Sequence, residues 1–217
     1  MRWYVGLLVL LALLLASCAP KATETVLLGE VLSEVDFSHS YDWEQYSNED
    51  QHVDFRIEDG VFRAHAWDHG FIWALNSEAH TNVVIQADTR QLSTYANNAY
   101  GLMCRAAPTN NGDGYYFLIS GDGSYTIRSG ATDVVRGLIK WEPTDAIQQG
   151  QAINRIRIVC IDDYLALYVN GRFVAETRDD RYQRGFAGIA AAVPEGGDVD
   201  VAFDDLIIRE AWLAGEP

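Results

Sequence analysis

The run His-Ala-Trp-Asp-His-Gly sets His65, Trp67 and His69 at alternate positions. Alternate residues of a strand share a face, so two imidazoles and an indole would stand together, opposite Phe62, Ala64 and Ala66. Two histidines four apart also open a helical metalloprotease site, but that chemistry needs a glutamate in second position and a helix. Alanine stands there instead, in a strand context. A solvated strand face is the plain reading of this trio, and a sugar platform is the chemical one. Flat aromatic rings stack on the apolar faces of pyranoses, with amides and carboxylates nearby to meet the hydroxyls. Trp67, Trp73, Trp141, Tyr41, Trp43 and Tyr125 all offer such planes. Tryptophans in a β-rich domain also serve its core, so each of these side chains has a structural reading beside the functional one.

Acidic turns are the second chemical feature: Asn-Gly-Asp-Gly, Ser-Gly-Asp-Gly, Ile-Asp-Asp-Tyr, Arg-Asp-Asp-Arg and Phe-Asp-Asp-Leu recur along the chain. Calcium wants several carboxylate and carbonyl oxygens, but none of these matches a dedicated calcium loop, and Asp is equally a turn former. The tripeptide Gly121-Asp122-Gly123 is read as a tight turn whose glycines supply positive φ. A phosphate cradle would need a helix after it, which Ser-Tyr-Thr-Ile-Arg-Ser is not. There is no Ser-His-Asp order, no CxxC and no glycine-rich phosphate loop to explain.

The elements that must position these groups begin after a leader. Arg2 precedes an apolar run from Val5 to Ala16, short for a membrane span and of the length of a secretory h-region. It ends in Leu15-Ala16-Ser17-Cys18, which resembles the bacterial lipobox, in which the cysteine is diacylated and becomes the new N-terminus. The resemblance implies a signal peptide over 1–17, a lipidated Cys18, and a membrane-anchored, extracytoplasmic protein of a bacterial cell envelope. A diacylated cysteine holds a domain on a bilayer without spanning it. Of 16 Lys+Arg and 31 Asp+Glu, the leader removes Arg2 alone, leaving 15 against 31 and a net charge of −16. That charge repels phosphate backbones, and no basic stripe is present, so nucleic acid is not an expected partner. Once Cys18 is set aside, Cys104 and Cys160 remain as a disulfide pair or as two separate buried thiols.

Residues 18–30 read as lipidated cysteine and tether, 31–212 as one domain and 213–217 as a tail. Within the domain, short apolar alternations are cut by Gly, Asn and Asp too closely for helices. Hairpins are expected at Asp59-Gly60, Asp122-Gly123, Asp162-Asp163 and Asn170-Gly171. Only Thr-Asp-Ala-Ile-Gln-Gln-Gly-Gln hints at a helical turn or loop. About twelve strands without helical period imply an all-β, two-sheet antiparallel sandwich or jelly roll.

The order Tyr-Gly-Leu-Met-Cys-Arg, Tyr-Tyr-Phe-Leu-Ile-Ser-Gly-Asp-Gly, Trp141, Ile-Asn-Arg-Ile-Arg-Ile-Val-Cys, Tyr-Val-Asn-Gly, Asp180, Gly-Phe-Ala-Gly-Ile-Ala-Ala and Val-Ala-Phe-Asp-Asp-Leu-Ile-Ile carries a family resemblance. From Val31 to Arg209 the chain resembles the concanavalin A-like lectin/glucanase jelly rolls, in particular the keto-disaccharide hydrolase-like and laminin-G-like extracellular domains. The resemblance puts Cys104 and Cys160 on core strands that could be neighbours. It also implies a structural calcium where the first and last strands meet, with Asp36 and Asp204 or Asp205 as ligands; no other cofactor is expected. For a glucanase it implies the motif E-x-D-x-x-E, which is absent: Asp200, Asp204 and Asp205 neither keep that spacing nor include a glutamate.

The function expected from this reading is a binding module at the cell surface, with carbohydrate or an envelope glycan as ligand. His65, Trp67, His69, Trp73, Tyr125 and Trp141 are its candidate contacts. A glycoside-acting hydrolase and a structural envelope protein that binds another protein are the alternatives.

Overall fold

The computed structural model describes residues 20–39, 43–68, 70–132 and 134–215. The expected leader, Cys18, Tyr41 and His69 lie outside the described residues.

Turn chemistry becomes register at the hairpins. Asp59 and Gly60, at φ 51° and 77°, close β3 (Val53–Glu58) onto β4 (Val61–Trp67). Such a turn needs left-handed backbone at both central positions, which Asp and Gly tolerate. Asp162-Asp163 joins β11 (Ile153–Ile161) to β12 (Tyr164–Val169), and Asn170-Gly171, at φ 53° and 76°, joins β12 to β13 (Arg172–Arg178). The other strands are β1 (Val26–Val35), β2 (Tyr46–Asn48), β5 (Phe71–His80), β6 (Val83–Gln91), β7 (Ala99–Ala106) and β8 (Gly114–Ile119). They are completed by β9 (Ser124–Ala131), β10 (Val134–Pro143), β14 (Gly185–Ala192) and β15 (Asp198–Leu213). The strands number fifteen among the described residues rather than about twelve. Among the described residues the only helix is the 3-10 turn Glu49–Gln51, and none is long and apolar enough to cross a membrane.

Two antiparallel sheets result. One runs β13-β12-β11-β6-β15-β4-β3-β2, with β1 added to the far half of β15; the other runs β10-β9-β8-β7-β14-β5. Between them lies a core that includes Phe62, Ile85, Ile158, Leu167 and Phe203 from the first sheet and Leu102, Tyr115, Phe117 and Ile189 from the second. Both outer faces carry further buried apolar clusters. Met103, Tyr116, Leu118 and Ala190 form one on the six-stranded sheet, and Val84, Val159, Ile161, Tyr164 and Ala166 form one on the nine-stranded sheet. Burial on both faces explains why β8 reads as a continuous apolar run.

Cys104 on β7 and Cys160 on β11 form a disulfide, with Cα atoms 6.7 Å apart. They lie in opposite sheets, so the bond crosses the core. Close by, Arg105 is 2% exposed at φ 53°. Its guanidinium donates to the carbonyls of Thr81 (3.2 Å), Asp162 (2.5 Å) and Tyr182 (2.8 Å) and to Asn82 Oδ1 (3.3 Å). A buried cation is tolerated only when its donors are met, and this one gathers three loops in meeting them.

Two expectations need correction. Residues 23–30 are no free tether: β1 begins at Val26, Thr23 N donates to Glu176 Oε2 (3.0 Å), and Glu24 pairs with Arg178. Val26, at the start of β1, packs against the outer apolar cluster that contains Tyr164. At the Gly121-Asp122-Gly123 turn, only Gly123 has positive φ, 92°. Gly121 is required by space instead, since a Cβ there would stand 2.2 Å from Gln91 Oε1.

Candidate functional site

The six-stranded sheet shows how side-chain size makes a recess. Its central strands present Ala192 on β14 and Ala99 on β7, both small, while the edge strands present Phe71 on β5 and Trp141 on β10. Large rings at the edges and methyl groups between them leave a trough of about 480 Å³ across the outer face of the sheet. Asn97, Asn98, Ser120, Asp122 and Ser124 line it with polar groups, and Trp141 is 41% exposed. The Gly121-Asp122-Gly123 turn is therefore part of the rim. Asp122 Oδ1 accepts from Ser124 N (3.0 Å), and Asn98 Oδ1 accepts from Gly121 N (3.1 Å), so the rim is held by its own hydrogen bonds.

Phe71 also lines a second recess of about 560 Å³ with Trp73, Ile72, Glu44, Tyr46, Gln51 and Asn110. Phe71 and Trp73 alternate on β5 and therefore share a face, both set edge-on to Tyr116, at 5.8 and 6.3 Å between centroids. The Arg128 guanidinium lies 5.5 Å from the centre of the Phe71 ring. Burial pulls the Arg128 pKa down; it pushes the Tyr116 phenol up, with the Asp113 charge adding to it. Trp73 Nε1 donates to Asn110 Oδ1, and Asn110 Nδ2 donates to Glu44 Oε2 (3.0 Å), which also accepts from Leu75 N (3.1 Å). Each recess is thus lined by one carboxylate, Asp122 or Glu44, and each of these already holds protein N–H groups.

The sequence candidates divide between the faces of the molecule. Trp73 and Trp141 come together on the six-stranded sheet, one in each recess. His65 and Trp67 stand on the nine-stranded sheet, where the His52 ring stacks on Trp67 at 5.2 Å and His65 lies 4.8 Å from it. His65 Nε2 is 2.9 Å from Asp198 Oδ1, beside ion pairs that link Arg63 to Asp200 and Glu58. Tyr125 turns toward the core, sharing the inward face of β9 with Ile127; its phenol is pushed up by burial and then by the Glu142 charge. Trp43 is buried against Phe37 and Phe62.

Asp36 Oδ1 accepts from the backbone and hydroxyl of Ser38 (3.0 and 2.7 Å), which lowers its pKa. Asp204 accepts from Asp205 N (2.8 Å), and Asp205 sits at φ 48° in a bulge of β15. Among the described residues no group of three or more His, Cys, Asp or Glu side chains converges as metal ligands. The groove residues that the sequence did not single out as ligand contacts are Phe71, Glu44, Asn98, Asn110 and Ser120, and Asp122, read there as a turn former; the alternation Phe71-Ile72-Trp73 is the signal for the first.

The fold, two packed antiparallel sheets of a jelly-roll sandwich, is shared with solved carbohydrate-binding, galectin-like and glucanase structures, in keeping with the resemblance noted in the sequence. No protein-family model and no curated protein matches the sequence. Among solved structures, a carbohydrate-binding module, CBM66, from Bacillus subtilis is 15% identical, covers 78% of this chain and 96% of its own, and superposes with a TM-score of 0.61. A Bacillus subtilis protein of unknown function with a galectin-like fold gives 12% identity, coverage of 86% and 99%, and a TM-score of 0.64. The β-glucanase of Bacillus licheniformis gives 8% identity, coverage of 84% and 98%, and a TM-score of 0.60. At such identities the likeness is one of fold.

Proposed function

We propose that the chain is a lipid-anchored module of the bacterial cell surface that binds carbohydrate in the groove of the six-stranded sheet without cleaving it. The observation that carries this reading is the pair of recesses meeting at Phe71, walled by Trp141 on one side and Trp73 on the other. Two adjoining recesses of this size suit several sugar units in line rather than one. Aromatic walls take the apolar ring faces, and the amides and hydroxyls of the rim take the hydroxyls. The net charge of −16 after the leader favours a neutral glycan over an acidic one. Hydrolysis by the two-carboxylate route needs an acid and a second carboxylate flanking one bond, whereas each recess offers one, already engaged. The anchor rests on Leu15-Ala16-Ser17-Cys18 and on the h-region before it.

Calorimetric titration of the mature protein with neutral oligosaccharides of increasing length, with product analysis on every hit, tests the proposal. Affinity should rise with length over several sugars, fall tenfold or more in Trp141→Ala, and survive in Trp67→Ala. Binding lost in Trp67→Ala but kept in Trp141→Ala would move the site to the nine-stranded sheet. Product formation would establish the hydrolase reading instead, and mass analysis of the N-terminal peptide tests acylation of Cys18.

A further inference from the structure

The chain between Cys18 and the domain is short and tied down. Thr23, five positions after Cys18, donates its N–H to Glu176 on β13, and Glu24 pairs with Arg178 on the same strand. Five residues span at most about 18 Å. Thr25 then accepts from Ala214 N (2.8 Å), so the start of β1 and the end of β15 are joined where the anchor segment arrives.

The same place gathers the apolar surface. Of the nine exposed large apolar side chains among the described residues, five are on the β1/β15 ribbon: Leu27, Leu28, Val31, Leu32 and Trp212. Leu27 is directly opposite Trp212, while Leu28 lies opposite Ala211 on the other face. Leu28 and Val26 border a shallow hollow with Val84, Val159 and Tyr168 on the outer face of the nine-stranded sheet, where the Arg157 guanidinium lies 4.2 Å from the centre of the Tyr168 ring. Contiguous exposed apolar groups mark a contact surface, and tryptophan is at home where hydrocarbon meets water.

We infer that the end of this ribbon, with residues 20–25 before it, dips edge-on into the lipid bilayer, apolar side chains on both of its faces, and that the groove of the six-stranded sheet, beside the opposite end of β15, is held clear of the membrane. The inference rests on the anchored reading given above. Acyl chains alone would hold the domain at a loose distance; Leu27 and Trp212 on one face of the ribbon and Leu28 on the other add an apolar second contact that fixes its orientation. Glu30, Glu34 and Glu210 flank them, but so do Arg157 and Arg209, and Glu24 is paired with Arg178, so the contact is apolar rather than electrostatic in character. A glycan bound between Phe71 and Trp141 would then be held on the side open to the surroundings.

The test uses the acylated protein reconstituted in phosphatidylcholine vesicles, with brominated lipid as a tryptophan quencher. Quenching should fall at least twofold in Trp212→Phe and stay unchanged in Trp141→Phe, and Leu28→Glu should reduce it in protein whose circular dichroism is unaltered. Protein that floats with the vesicles while Trp212 is unquenched, or while Trp141 is the quenched residue, overturns the orientation and leaves the anchor standing. Protein that does not float overturns the anchor, and the orientation with it.

Discussion

Cys104 on β7 and Cys160 on β11 are bonded across the core and close 56 residues of chain between opposite sheets. Constraining a loop of that length removes unfolded-state freedom worth roughly 4 kcal/mol in the chain-entropy view. The double variant Cys104→Ala/Cys160→Ala should therefore lose about 3–4 kcal/mol in urea unfolding, with the fold retained by circular dichroism. Equal midpoints with and without reductant would contradict this.

Arg105 supplies the second prediction. Its guanidinium is buried and spent on four oxygen acceptors from three loops. Arg105→Met keeps the length of the side chain but leaves those oxygens without donors, at a cost of about 3 kcal/mol or more. Thermal melts should show it, and Arg105→Lys, with a smaller donor set, should fall between the two.

Gly121 tests the reading of its turn. A methyl group there meets Gln91 Oε1 at 2.2 Å and Nε2 at 2.8 Å, and Gln91 holds the next loop through the carbonyls of Ser93 (2.9 Å) and Tyr95 (3.2 Å). Gly121→Ala should cost about 1–3 kcal/mol and weaken glycan binding as well, because Asn97 and Asn98 of the groove rim belong to that loop. A stable variant with full affinity would show that Gln91 yields easily.

Asp204 gives a pH dependence. Burial raises its carboxyl pKa, and the charges of Asp205, Asp36 and Asp88 add to the rise, against the lowering effect of the Asp205 N–H. A carboxyl with a raised folded pKa contributes stability below its unfolded pKa and loses it as pH rises through the folded value. At neutral pH the ionised group thus opposes the fold. Asp204→Asn should melt about 2 °C higher at pH 7 and no differently at pH 3, as differential scanning calorimetry would read.

The hairpins were legible because Asp59-Gly60 and Asn170-Gly171 need left-handed backbone that few other pairs adopt. Much of the core was legible as well, from the alternation in strands such as β11 and β12. The groove was not, and the reason is topological. Its walls stand on β5 and β10, the two edge strands of the six-stranded sheet, whose half-exposed patterns do not alternate. Nothing local told Trp141, in the groove, from Trp67, which is stacked with histidines on the other sheet. Tyr125 turned inward because it shares a face with Ile127, a relationship visible only once β9 is placed between β8 and β10. The early residues read as tether became β1 because β15 continues past the end of β4 and leaves room for a partner there.

Thr25 and Ala214, hydrogen-bonded side by side, make one doorway through which the chain both enters and leaves the domain. A fold with adjoining ends can be spliced into a larger polypeptide, permuted or lengthened with little disturbance of its sheets. Cargo fused after Ala214 would emerge beside residues 20–25, away from the aromatic groove. The point where a second domain could be joined and the aromatic groove are thus on different sheets.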